Sequence, residues 1–116
     1  MKKIYYLSTC DTCKRIMKEI NVDATWTKQD IKTENITDEQ LEEMKKLSGS
    51  YESLFSRRAQ KYKSLGLKEM NLTEVDYKKY ILEEYTFLKR PVALIDNNIF
   101  VGNSKKVTEA IIETLK

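Results

Sequence analysis

Apolar residues change their spacing along this chain, and each change marks an element. Residues 2–7 carry the run Ile4-Tyr5-Tyr6-Leu7 and read as a buried first strand. From Cys10 to Ile20, Ile16, Met17 and Ile20 recur at helical spacing, which predicts a helix with that face on the core. Asn21-Val22-Asp23 reads as a turn. The weak alternation of Ala24 to Gln29 around Trp26 predicts a second strand. Strand, helix and strand in so short a span make a βαβ unit, so the two strands are expected to be parallel.

The middle of the chain is helical. Thr37-Asp38-Glu39-Gln40 has the form of a capping box, with Ile36 and Leu41 placed for a hydrophobic staple beside it. Leu41, Met44 and Leu47 form a stripe that stops at Ser48-Gly49, where glycine suits a C-cap. Tyr51 to Phe55 predicts a short helix. Thr73 is placed to cap another, with Val75, Tyr77, Tyr80, Ile81 and Tyr85 as its apolar positions.

The last third changes period again. Pro91-Val92-Ala93-Leu94-Ile95 is a continuous apolar run, as in a strand covered on both faces. Asp96-Asn97-Asn98 reads as a tight turn in which Asn tolerates the left-handed region. Ile99-Phe100-Val101 returns as an antiparallel strand. Gly102-Asn103-Ser104 then opens a final helix carrying Val107, Ala110, Ile111 and Leu115. The order is β-α-β, a long helical stretch, then β-β-α. This predicts an α/β protein with a thioredoxin-like plan: a four-stranded mixed sheet, flanking helices and an enlarged central helical segment.

Composition narrows the class. At 116 residues, 34% charged and 41% hydrophobic, the chain is a single globular domain's worth with a modest core. The net charge of +3, from 21 basic and 18 acidic residues, gives no case for direct nucleic-acid or membrane-surface binding. Lys2-Lys3, Lys45-Lys46, Lys78-Lys79 and Lys105-Lys106 are scattered and read as solvated faces. The apolar run behind Met1-Lys2-Lys3 ends at Ser8, too soon for a signal peptide, so a cytoplasmic location is expected.

The chemistry gathers at Cys10-Asp11-Thr12-Cys13, which holds both cysteines of the chain. Without histidine, there is no Cys-His dyad, no Ser-His-Asp triad and no histidine metal ligand. The pair is not half of a zinc site, and no metal or other cofactor is expected. In a reducing compartment, a close pair at a strand-to-helix junction reads as redox-active. Cys10 at the helix N-terminus would meet unsatisfied N–H groups and the positive dipole end, which favour thiolate. Cys10 is then the attacker and Cys13, one turn on, the resolver. Lys14 and Arg15 add positive charge, while Asp11 opposes it. Pro91 opens the buried strand, and in a thioredoxin-like plan its loop lies beside the pair with a cis Arg90–Pro91 bond. Arg90 would then point near Cys10, able to hold an anion or the thiolate. Arg57 and Arg58 are further candidates.

These residues together resemble the arsenate reductase/Spx family of thioredoxin-fold proteins over nearly the whole chain. The resemblance rests on Tyr6-Leu7-Ser8-Thr9-Cys10-Asp11-Thr12-Cys13-Lys14 and on Leu54-Phe55-Ser56-Arg57-Arg58 followed by Tyr62-Lys63-Ser64-Leu65-Gly66-Leu67. Leu88-Lys89-Arg90-Pro91-Val92 completes it. It implies one domain over residues 1–116 with a helical insertion at about 36–86. The family's nucleophilic cysteine falls on Cys10, and its arginine before the cis-proline falls on Arg90. Its mid-segment arginine falls on Arg58 or Arg57, with Arg58 the preferred register. Arsenate-reducing members carry another arginine after the last strand, where this chain reads Val101-Gly102-Asn103. That difference, together with Cys13, brings the chain closer to the Spx branch, whose regulators sense oxidation and bind RNA polymerase. The resemblance thus implies an arsenate reductase-like thiol–disulfide protein that forms a reversible Cys10–Cys13 disulfide. Its reductant would be thioredoxin or a low-molecular-weight thiol. The alternative is an Spx-like regulator partnered with RNA polymerase. A monomer is expected in either case.

Overall fold

The computed structural model describes residues 1–116. Its strands are β1 (Lys2–Tyr6), β2 (Thr27–Asp30), β3 (Val92–Ile95) and β4 (Asn98–Val101). Its helices are α1 (Asp11–Glu19), α2 (Asp38–Ser48), α3 (Gln60–Ser64), α4 (Glu74–Glu83) and α5 (Lys105–Leu115). The chain divides into two compact units. One joins residues 1–34 to 90–116, and the other spans 35–89.

The first unit is built on a mixed four-stranded sheet of order β2-β1-β3-β4. β1 runs parallel to β2, with Tyr6 opposite Asp30, and antiparallel to β3, with Tyr5 opposite Val92. β3 and β4 form an antiparallel hairpin. Strand residues alternate between faces, and one face of the sheet holds a continuous core. Ile4, Ala93 and Ile95 from the strands pack there with Ile16, Ile20, Trp26 and Ile111, and with Met17, Val107 and Leu115 at the margin. Every residue of β3 is buried, which explains its unbroken apolar sequence.

The expected boundaries shift in places. The second strand runs from Thr27 to Asp30, not from Ala24 to Gln29, because residues 23–26 form a turn in which the Trp26 N–H donates to the Asp23 carbonyl at 3.1 Å. The hairpin turn places Asp96, not an asparagine, in the left-handed region at φ 53°, and Asn98 already pairs with Ile95. In α5, Thr108 and Ile111 are buried and Ala110 is exposed. At 100° per residue, position 110 lies well off the face that 107, 108, 111 and 115 share.

The 35–89 unit is helical. Thr37 caps α2 with a complete capping box to Gln40, and Thr73 does the same for α4 with Asp76. Gly49 ends α2 at φ 100°, a conformation that a side chain would strain. The segment expected as a helix after Tyr51 is a single 3₁₀ turn, Glu52–Leu54, and others lie at Leu67–Glu69 and Tyr85–Phe87. Glu74 closes the first of these by accepting from the Tyr51 and Glu52 N–H groups at 2.7 and 3.0 Å. Phe55 is fully buried among aromatic rings, with centroids 5.0 Å from Phe87, 4.9 Å from Tyr77 and 6.0 Å from Tyr62. Val75 is exposed, since it lies half a turn away from the Tyr77 and Ile81 face of α4. No helix of the protein is long and apolar enough to cross a membrane.

Candidate functional site

The site is built where β1 leaves the sheet and α1 begins. Leu7 to Cys10 is a turn closed by the Cys10 N–H, which donates to the Leu7 carbonyl at 3.0 Å. Leu7 is buried and anchors the turn from below. Cys10 follows in extended conformation, φ −98° and ψ 112°, as the N-cap of α1. Its carbonyl accepts from the Lys14 N–H at 3.2 Å. The amphipathic pattern of α1 then puts Cys13 and Ile16 inward. Both cysteines are free thiols; Cys10 is part-exposed and Cys13 fully buried.

This placement drives the two sulfurs apart in acidity. Partial burial works to raise the Cys10 pKa. It is outweighed by the Cys13 backbone N–H, the Cys13 thiol and the Arg90 guanidinium, so the thiol falls below its ordinary 9.0. No full side-chain capping bond forms in the thiol state, yet these donors stand close enough to favour a thiolate. Cys13 goes the other way. Burial is the largest cause, the neighbouring Cys10 adds to it, and the Leu7 backbone and Arg90 only partly offset them. Its pKa is pushed up to about 11.

Arg90 enters from the other end of the unit. Its peptide bond to Pro91 is cis, and Pro91 is buried at the head of β3. The Pro91 carbonyl accepts from the Gly102 N–H at 2.9 Å, which ties the exit of β4 to the same loop. Gly102 has φ 97°, so this position suits glycine better than a long side chain. The Arg90 Nε is buried and meets no acceptor. The structure thus places Arg90, with the cis bond to Pro91 behind it, beside Cys10 and Cys13.

Arg57 and Arg58 belong to the 35–89 unit and differ from each other. Arg57 is committed within it, donating to Glu52 Oε2 at 2.7 Å and to the Tyr77 hydroxyl at 3.0 Å, with its guanidinium over the Tyr77 ring. Arg58 is exposed, and its side chain makes no ion pair or hydrogen bond. No group of three or more metal-ligating side chains occurs.

Sequence reasoning missed one neighbour of the site. Asp30 hydrogen-bonds Ser8 in the turn before Cys10. The two are 22 residues apart, and only the β1–β2 register brings them together. An acidic residue at the end of a strand parallel to β1 was the available signal.

The model of the ArsC family matches residues 5–111. No curated protein matches the chain. Solved structures do. An arsenate reductase-related protein from Brucella melitensis shares 25% identity at TM-score 0.71, over 94% of this chain and 92% of that one. A protein from Staphylococcus aureus COL shares 23% at TM-score 0.76, over 95% and 97%. An arsenate reductase from Vibrio cholerae shares 15% at TM-score 0.78, over 97% and 95%.

Proposed function

Because this chain belongs to the ArsC family, we propose that it is a thiol–disulfide redox protein resembling arsenate reductase, with Cys10 attacking and Cys13 resolving. The observation that carries this is the split between the two sulfurs: one accessible and acidified, the other buried and protonated. In the first step the Cys10 thiolate attacks one sulfur of a disulfide substrate. A mixed disulfide forms and the other substrate sulfur leaves as a thiolate. Cys13 then gives up its proton and attacks the Cys10 sulfur, which closes the Cys10–Cys13 disulfide and releases the second substrate thiol. The substrate gains two electrons and the protein loses them; thioredoxin or a low-molecular-weight thiol restores the pair. Arg90 holds the thiolate and offers its buried Nε to an anionic group. Arg58, the uncommitted member of its pair, is the second anion-binding candidate, and Arg57 the less suited one.

The test is a disulfide-exchange assay with arsenate and a model disulfide as alternative substrates, and thioredoxin or glutathione as reductant. Cys10→Ser is expected to fall to background. Cys13→Ser is expected to retain the first step and to accumulate the mixed disulfide, seen as a mass increase. Wild-type exchange by the Cys10→Ser protein would overturn the assignment.

A second reading is favoured by Gly102, whose φ of 97° stands after the last strand where the resemblance puts an arginine in arsenate-reducing members. On this reading the same pair serves an Spx-like regulator that binds RNA polymerase. Turnover with neither substrate, combined with redox-dependent capture of the polymerase, would select it. Absence of capture in both redox states would exclude it.

A further inference from the structure

Asp30 is the last residue of β2 and stands opposite Tyr6, the last residue of β1. One step further, the Ile31 N–H donates to the Tyr6 carbonyl at 2.9 Å. The Asp30 carboxylate therefore lies where β1 runs out into the Leu7–Cys10 turn. Its Oδ1 accepts from the Ser8 N–H at 3.3 Å and from the Lys32 N–H at 3.2 Å. The carboxyl sits below its ordinary pKa, with the neighbouring Ser8 side chain the foremost cause. Ser8 is the second residue of the turn. One end of that turn is Cys10 itself, and the backbone of its other end, Leu7, hydrogen-bonds the Cys13 sulfur. A single carboxylate thus holds a turn attached to both cysteines.

We propose that Asp30 is a positioning residue: by clamping Ser8 it fixes the Leu7–Cys10 turn and so aims the Cys10 sulfur at the start of α1. This rests on the reading of Cys10 as the nucleophile. The backbone angles of Cys10 decide whether its sulfur faces the helix N–H groups and Arg90 or swings out to solvent. Those angles follow from the turn that precedes them. A positioning role and a purely electrostatic one predict opposite signs. A bare negative charge near a thiolate disfavours it, so deleting the charge alone would make Cys10 more acidic. Loosening the clamp withdraws the sulfur from its donors and makes Cys10 less acidic.

The experiment follows Cys10 alkylation by iodoacetamide against pH, with the modified residue located by mass spectrometry. Asp30→Ala removes the acceptor, and Cys10 alkylation at pH 7 is expected to slow about fivefold, the weight of roughly one lost hydrogen bond. The titration midpoint should move up. Asp30→Asn keeps an oxygen acceptor and is expected to stay within about twofold of wild type. A folded Asp30→Ala protein whose midpoint is unchanged or lower overturns the proposal. Should circular dichroism show that variant unfolded, Asp30→Leu decides: it keeps the side-chain volume and carries no acceptor for the Ser8 N–H, so an upward midpoint supports the clamp and an unchanged one refutes it. A wild-type Cys10 that titrates as an ordinary thiol would instead sink the nucleophile reading itself.

Discussion

Cys10 and Cys13 are one helical turn apart, yet their surroundings push their acidities in opposite directions. The Cys13 N–H, the Cys13 thiol and Arg90 outweigh the burial of Cys10. Nothing comparable rescues Cys13, which is wholly buried and repelled by its partner. The difference has a consequence for stability. In the unfolded chain Cys13 ionises near 9.0, and in the folded protein only near about 11. A raised folded pKa means that the stabilising contribution is complete below pH 9 and is lost as pH rises from there to about 11. The reduced protein should therefore lose stability over that window. Cys13→Ala should lose less over the same window, because the linked proton is gone while other titrating groups remain. Urea unfolding of both proteins between pH 8 and 11 checks this. Parallel pH dependences would show that Cys13 is not held protonated by the fold.

At the scale of the element, the caps explain both the stability of the helices and much of what could be read in advance. Thr37 accepts from the Gln40 N–H at 3.1 Å, and Gln40 accepts from the Thr37 N–H at 3.0 Å. Thr37→Ala removes one half of this reciprocal pair and is expected to cost about 1 kcal/mol, with Thr37→Ser near wild type. Chemical denaturation at neutral pH measures it, and an unchanged midpoint for Thr37→Ala would show α2 to be held by packing alone. Such features were legible because they are local: a capping box, a C-cap glycine, an N-cap cysteine and a helical stripe all lie within a few residues. What was not legible depends on distant chain. Alternation around Trp26 reads as strand, yet it cannot show that residues 23–26 close into a turn before the strand pairing begins. Hydrophobicity alone puts Val75 on the buried face, although its angle around α4 turns it to water. The Asp30–Ser8 contact needed the strand register, which no periodicity contains. Cys10, Cys13, Arg90 and Pro91 stand out in the sequence because proline, arginine and a spaced cysteine pair carry their chemistry in their identity.

At the scale of the whole molecule, the connectivity of the two units has an energetic meaning. The sheet of the first unit closes only when β3, after residue 90, pairs with β1. The intervening 35–89 segment is folded, and within it the Lys89 N–H donates to the Leu54 carbonyl at 2.8 Å and the Ser56 N–H to the Phe87 carbonyl at 2.7 Å. Unfolded, it becomes a long flexible loop, and closing the sheet across it costs on the order of 3 kcal/mol in chain entropy. Damage to the helical unit should therefore weaken the sheet unit through the chain alone. Phe55 is the place to apply it, since its ring meets three other aromatic rings and Phe55→Ala should cost about 3–5 kcal/mol. Trp26, the single tryptophan, lies in the core of the other unit and reports on that unit by fluorescence. Far-UV circular dichroism reports on helices throughout. In Phe55→Ala both signals are expected to shift to lower urea together. A Trp26 transition that keeps its wild-type midpoint while the helical signal falls would mean that the sheet closes without help from the segment between its halves.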